Sequence, residues 1–330
     1  MGNSTGRGLH IDTLLSNVAI NYMPQAFIAD QIAPIVSVPK ESGIYPVFNR
    51  LEFYSLEDTQ RARGAEAKKV TRSVSSAGYQ VNNHALGYDV PIEDRANMDA
   101  AFAYELGDAG ATRYVVGKLG LGMERRVLVL ANASTSVGTT FVPNSSWAGN
   151  NANVGDPIGA INAAKEQMKA RIGVLPNSML IGWKAHLLLA RNYHMRNFVK
   201  GVNNGGGYIT RQQIAQAFEL DRYLVSEAQI STQNEATNPT SLSLTSAFAD
   251  DAIVLYYRPT APSRDEPSWM YAFNWAAPEL PGRMVVERHP YNTRTKVDGI
   301  EASYYQNEYV TGPDYAVKIA GVSSAQANGI

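Results

Sequence analysis

The chain has no cysteine in its 330 residues. That excludes disulfides, Cys-ligated zinc, iron–sulfur clusters and a thiol nucleophile. An excess of either charge is also missing, since 29 Lys+Arg against 30 Asp+Glu leave a formal net charge of −1. A protein that grips nucleic acid over a broad face carries a basic surplus, because each phosphate neutralised needs a Lys or Arg. Bulk DNA binding is disfavoured. Charged residues are scarce as well, at 18% against about 25% in ordinary domains. No run approaches the roughly 20 apolar residues of a membrane span. The start, Met1-Gly2-Asn3-Ser4-Thr5-Gly6, carries neither a secretory signal nor a myristoylation pattern. The chain is expected to be made in a cytoplasm.

What is present is apolar. Hydrophobic residues make up 45% of the chain, and 18 Tyr stand among them, a composition too apolar and too weakly charged for disorder. At roughly 100–200 residues per domain, the length predicts two domains or one large elaborated one.

Residues 1–40 read as an arm. Leu14, Leu15, Val18, Ile20 and Tyr22, then Phe27, Ile28, Ile32 and Ile35, are interrupted by Pro24, Pro34 and Pro39. Such a segment needs a partner surface but is too short and Pro-broken for a core of its own. That surface is either a neighbour or the arm's own subunit. From Ser42 the pattern turns to strands: Ile44–Phe48 and Leu51–Tyr54, then Val70–Val74 and on through Tyr79, Val81 and Tyr88–Pro91. Between them, residues 55–69 hold almost no large apolar side chain after Leu56. A long two-stranded hairpin with a charged tip fits. An isolated two-stranded ribbon is marginally stable at best, so it should lie on something else.

Residues 95–131 are expected to form one long helix, with Phe102, Ala109, Val116, Met123 and Leu130 recurring every seven residues beside Leu106 and Val127. Its glycines, Gly107, Gly110, Gly117, Gly120 and Gly122, each cost about 1 kcal/mol relative to Ala. Tertiary packing must hold such a helix, and a break is expected near Gly120-Leu121-Gly122. Residues 132–155, rich in Asn, Ser, Thr and Gly, read as a linker or an excursion. Asp156 then Pro157 opens a helix whose buried face is Ile158, Ile161, Met168 and Ile172, and Gly173 stops it. Ser178–Gly182 is a buried strand, and a helix follows around Lys184–Val199. Thr210 with Gln213 is a capping box opening a helix through Leu220. Tyr223–Val225 and Ala252–Tyr257 read as strands, and so do Met284–Arg288, Ile300–Val310 and Tyr315–Ile319.

Catalytic fingerprints are missing. There is no phosphate-cradling Gly-X-X-X-X-Gly-Lys-Ser/Thr run, no His-Glu-X-X-His and no EF-hand. His186 and His194 are eight residues apart on one predicted helix, about 12 Å along its axis, too far to share a metal. Adjacent acids such as Glu93-Asp94 and Asp250-Asp251 diverge on any regular backbone and make no natural dyad. No cofactor or metal is expected. The most informative charge feature is the hairpin tip. After the acids Glu57 and Asp58 come five bases, Arg61, Arg63, Lys68, Lys69 and Arg72, against one acid, Glu66. It reads as a solubilising loop, as a finger meeting complementary charge on a neighbour, or as a nucleic-acid contact.

This order of parts resembles the major capsid proteins of tailed phages, whose fold is shared with herpesvirus capsids and encapsulin shells. Individual stretches are similar too: Leu14-Leu15-Ser16-Asn17-Val18-Ala19, Phe27-Ile28-Ala29-Asp30-Gln31-Ile32-Ala33-Pro34, and Tyr88-Asp89-Val90-Pro91-Ile92-Glu93-Asp94-Arg95-Ala96. The resemblance covers nearly the whole chain through diffuse signatures. It implies an α+β capsid fold: an N-terminal arm (1–40), an extended hairpin loop (41–93), a peripheral domain with the spine helix (94–155), an axial domain (156–275) and returning peripheral strands (276–330). It implies a structural role without catalysis, in which copies join as hexamers and pentamers into an icosahedral shell enclosing double-stranded DNA without sequence-specific binding. Glu57, Asp58, Arg61, Arg63, Lys68, Lys69 and Arg72 become intersubunit contacts. Asn203, Asn204, Gly205, Gly206 and Gly207 become a loop lining the ring axis. Many relatives begin with a scaffolding segment, whereas this chain opens at the arm. A separate scaffolding protein and a portal are therefore expected, with a decoration protein as an optional addition. Assembly is expected in the host cytoplasm, with no membrane partner, and the finished location is the virion. Some relatives cross-link Lys to Asn under a Glu; Lys68 or Lys69 stands where that Lys would be, but the sequence assigns no Asn or Glu. An encapsulin-like cargo shell and a soluble enzyme are the competing readings.

Overall fold

The computed structural model describes residues 27–48, 54, 56–71, 74–97, 107–149, 152–201, 208–231, 243–276 and 283–324. Helix α1 (Ala29–Ile32) leads into β1 (Ile35–Val38), β2 (Ser42–Phe48), β3 (Val74–Gln80) and β4 (Asn82–Pro91). Helices α2 (Ile92–Asn97) and α3 (Asp108–Asn132) precede β5 (Thr139–Phe141). Next come α4 (Pro157–Ile172), β6 (Ser178–Gly182), α5 (Trp183–Arg191), α6 (Tyr193–Lys200), α7 (Arg211–Ala217) and β7 (Arg222–Ser226). A short ladder of β8 (Gln229–Ile230) and β9 (Thr245–Ser246) follows, then β10 (Ile253–Tyr256), β11 (Met270–Trp275), β12 (Val285–Asn292), β13 (Val297–Val310) and β14 (Ala316–Ile319).

Two five-stranded sheets carry the fold. In the first, the 14-residue β13 is the centre. It runs antiparallel to β4 from Val297 opposite Pro91 to Gln306 opposite Asn82, and antiparallel to β12 and β11. Strand β1 adds parallel to β11. The second sheet has the order β5-β14-β10-β6-β7. Every residue of β6, β10 and β14 is buried, so both faces are covered and the strands read as continuous apolar runs. Alternate residues feed different cores. Leu180, Val254 and Tyr256 join α1 and the C-terminal half of α3. Met179, Ile181, Ile253 and Leu255 meet Ile161, Met168 and Ile172 of α4.

Helix α3 ties the sheets together. Its first half puts Val115, Val116 and Leu119 against Val286, Ile300 and Ala302 of the first sheet. Its second half puts Met123, Val127, Leu128 and Ala131 into the core shared with the second. Val116, Val127 and Leu128 are wholly removed from solvent, which is worth about 2 kcal/mol each and offsets the cost of the helix's glycines.

Several expectations change. The single helix over 95–131 is instead α2 and α3, with 98–106 outside the described residues. Gly107 is extended (φ −79°, ψ −178°) and caps α3, so no helix passes through it. Through Gly120 and Gly122 the helix continues unbroken, and Gly120 lies on its buried face. The helix around Lys184–Val199 is two helices. Asn192 leaves the helical conformation (φ −58°, ψ 139°), and its Oδ1 accepts the N–H groups of His194 and Met195 at 2.9 and 3.4 Å. The helix from Thr210 ends at Ala217, short of Leu220. Residues 132–155 are more than a linker, since they supply β5 and the buried Trp147.

Boundaries shift too. Residues 28–38 of the supposed arm pack into their own subunit, while 1–26 lie outside the described residues. Strand β11 belongs to the first sheet although it falls before residue 276, and β5 and β14 belong to the second. Strand pairing, not chain order, sets these divisions. By contrast, Asp156 accepts the N–H groups of Ile158 and Gly159 at 2.9 and 3.1 Å, and Gly173 ends α4 at φ +71°. The Thr210–Gln213 capping box is present.

Candidate assembly surface

The hairpin is built from a well-packed root and a bare tip. Strands β2 and β3 pair antiparallel through seven residue pairs, from Ser42 opposite Gln80 to Phe48 opposite Val74. At the root Tyr45 and Tyr79 stack on Phe273 of β11, with ring centroids 5.5 and 4.9 Å apart, among buried Val36, Val38 and Val81. The Tyr309 hydroxyl accepts the Gln80 N–H at 2.9 Å and donates to its carbonyl at 2.8 Å. These bonds occupy both backbone groups of Gln80 on the side away from β2. Farther out, the Tyr54 hydroxyl donates to the Ile172 carbonyl at the end of α4, a tie between loop and second sheet that no sequence pattern announced.

Beyond the root, residues 56–71 form no helix or strand, and all are exposed. Leu56 is 100% exposed and Val70 73%. Gly64 turns the chain at φ +83°, and the Ala65 N–H donates to the Ala62 carbonyl at 3.2 Å. Glu57 pairs with Lys68 across the loop, and Asp58 accepts the Gln60 N–H at 3.0 Å. Arg61, Arg63 and Lys69 make no ion pair among the described residues. The structure thus brings Glu57, Asp58, Arg61, Arg63, Lys68 and Lys69 onto one projecting tip. The strand expected over 70–74 begins only at Val74; Leu51–Phe53, Arg72 and Ser73 lie outside the described residues. So do Asn203, Asn204, Gly205, Gly206 and Gly207, the loop assigned to the ring axis.

A second exposed surface was not foreseen. Strand β4 pairs with β13 alone among the described residues, so its other edge is open. Beside it Leu86, Tyr88 and Ile92 are 43%, 39% and 47% exposed, and Tyr114 of α3 is 56% exposed. Tyr88 meets Tyr114 edge-on at 6.0 Å, and the Lys118 ammonium sits 5.6 Å from the Tyr114 ring centroid. The acids Asp89, Glu93 and Asp94 are exposed at the end of this strand. The Tyr-Asp-Val-Pro alternation was the available signal, but alternation predicts a half-buried strand without saying which edge stays open.

Titratable groups elsewhere serve packing. His186 is buried, hydrogen-bonded through Nδ1 to the Tyr223 hydroxyl at 2.7 Å. Burial pushes its pKa down to about 4, with nearby Arg211 adding to the effect. His194 bonds the Val154 carbonyl at 3.2 Å. Among the described residues no three His, Asp or Glu side chains gather as a metal site, and no helix is long and apolar enough to cross a membrane.

No protein-family model matches the chain. It is 30% identical over 220 residues to the major capsid protein of Burkholderia phage BcepMu, spanning 66% of this chain and 69% of that protein. The crystal structure of a phage-related protein from Bordetella bronchiseptica RB50 superposes over 96% of this chain and 99% of its own, with a TM-score of 0.72 at 21% identity. The capsid structure of cyanophage P-SCSP1u matches over 97% and 93% of the two chains, with a TM-score of 0.57 at 12% identity.

Proposed function

This chain belongs to the major capsid proteins of tailed phages and is a structural protein of the virion; from that premise we propose how its subunits join. The tip of one subunit lies on the β4–α3 surface of the next. One observation carries this reading: sixteen consecutive residues, 56–71, are all exposed, with Leu56 and Val70 bare. Apolar side chains held in water gain free energy when a neighbour covers them. The receiving surface offers matching chemistry, with aromatic Tyr88 and Tyr114 and exposed Asp89, Glu93 and Asp94 for Arg61, Arg63 and Lys69, which make no ion pair among the described residues. Charge complementarity of this kind sets register and partner choice more than bulk affinity.

Such a contact is heterologous, tip to strand edge, and closes into rings when the rotation permits. Rings of six and five copies then build an icosahedral shell, and many modest contacts per subunit add through multivalency. The near-zero net charge suits a wall that encloses double-stranded DNA without gripping it. The loop 203–207 would face the ring axis. A scaffolding protein and a portal would direct assembly in the host cytoplasm, with room for a decoration protein outside.

Replacing residues 56–71 by a short Gly-Ser turn tests the reading by electron microscopy and thermal unfolding. The expected product is a folded subunit of unchanged melting temperature that forms neither rings nor shells. Shells of normal size from this variant would refute it. Uniform closed shells of native size from the full chain expressed alone would refute the scaffolding requirement.

A further inference from the structure

Glu124 of α3 is an acid wholly shielded from solvent, and among the described residues it makes no ion pair. Its Oε2 accepts two backbone N–H groups, from Ile28 at 2.9 Å and Ala29 at 2.7 Å. These amides open α1. Its Oε1 is buried with no hydrogen-bond partner among the described residues. A buried carboxylate is ordinarily matched by a cation, because an unmatched charge in the interior costs several kcal/mol.

The surrounding charges are committed elsewhere. From α1, Asp30 faces the site and is held by Arg283 through two bonds of 2.5 and 2.6 Å. Arg283 also reaches the Met123 sulfur at 3.4 Å. Arg126, two positions on and so about 200° round α3, is taken by Glu308 and the Tyr304 hydroxyl of β13. Arg258 feels Asp30, and its own environment is set by burial and Arg222. None of these cations neutralises Glu124, and Asp30 repels it.

We infer that Glu124 is a proton-operated clasp, which fastens the root of the N-terminal segment to α3 when protonated and loosens it when ionised. Thermodynamic linkage gives the sign. Burial, outweighing the two backbone N–H groups, raises the carboxyl pKa to about 7 from an ordinary 4.5, and Asp30 adds to the rise. The closed root therefore binds the proton more tightly than an opened, hydrated one. Its stability is fully present below pH 4.5 and is lost as pH rises through about 7. Lifting the four-residue α1, whose first amides hold the carboxylate, would let water reach the charge. The inference concerns one subunit and stands independently of how subunits join.

The test is amide hydrogen exchange on the full chain at pH 6 and pH 8, normalised to intrinsic rates. In the wild type, protection of Ile28–Ala33 should fall about tenfold between the two, while β6 and β10 keep theirs. In E124Q, which keeps the shape and cannot ionise, protection of the same amides should not change with pH. Equal wild-type protection at both pH values would overturn the proposal without reference to any variant. An E124Q protein losing protection as the wild type does would overturn it equally.

Discussion

Arg126 gives the sharpest check on how the two halves of the subunit cohere. Its guanidinium binds Glu308 through bonds of 2.8 and 3.0 Å and the Tyr304 hydroxyl at 2.9 Å. Burial opposes its charge, but Glu308 and Tyr304 outweigh that and raise its pKa. The Glu308 side chain is 1% exposed and the Arg126 side chain 30%. Arg126→Leu would strand a buried carboxylate with one remaining donor, the Gln306 amide at 3.0 Å. Breaking a buried pair in this way costs 3–5 kcal/mol, and the partial exposure of Arg126 places the loss near the lower end, about 3 kcal/mol. At roughly 2 °C per kcal/mol for a chain of this size, melting falls by about 6 °C. The assay is urea unfolding of dispersed subunits followed by tryptophan fluorescence. Adding Glu308→Gln removes the stranded charge while keeping an acceptor for Gln306, and R126L/E308Q should recover about 2 kcal/mol. A single variant within 1 kcal/mol of wild type, or a double variant no better than the single, would show that this pair does not join α3 to β13.

Reversing the tip charges (R61E, R63E and K69E together) should leave subunit stability within about 0.5 kcal/mol yet stop assembly. Reversal of Asp89, Glu93 and Asp94 to Lys in the same chain should restore shells by electron microscopy, and failure to restore them would place the tip elsewhere. Gly173→Ala should cost about 1–2 kcal/mol, because φ is +71° and the new methyl would collide with the Tyr54 ring; chemical denaturation measures it. Asn192→Ala removes the α6 cap and bonds to the Trp147 and Gly155 carbonyls at 3.3 and 3.1 Å. A loss of about 2–3 kcal/mol is expected. His186, its pKa lowered to about 4, should draw stability down as pH falls from about 6.5. A His186→Gln chain whose acid denaturation profile matches the wild type would exclude that role.

Some of this was readable locally. Helix α4 was legible from three residues, Asp156, Pro157 and Gly173, because caps satisfy orphan backbone groups within one turn. The Thr210–Gln213 box worked for the same reason. The long helix was readable as a helix but not in extent, since Gly107 stops it through one extended residue while the glycines inside are tolerated by burial. At Asn192 the cap itself is local, on the N–H groups of His194 and Met195, but the anchoring of its Nδ2 by carbonyls 37 and 45 residues away is a tertiary fact. The exposed tip was legible residue by residue, apart from Arg72 outside the described residues, yet the open edge of β4 was not, because an edge is defined by the strand that is missing beside it.

The amino-acid order by itself determined which segments are apolar, where caps and turns fall, that no thiol chemistry is available, and that one charged segment cannot bury itself. Periodicity and capping act over a few residues, so they survive translation into structure. Only the tertiary structure decided that β14 joins the second sheet, that Arg126 meets Glu308 across 182 positions, and that Glu124 closes on amides 95 and 96 positions earlier. Those pairings rest on shared burial, where an unmatched charge costs more than any local preference can supply.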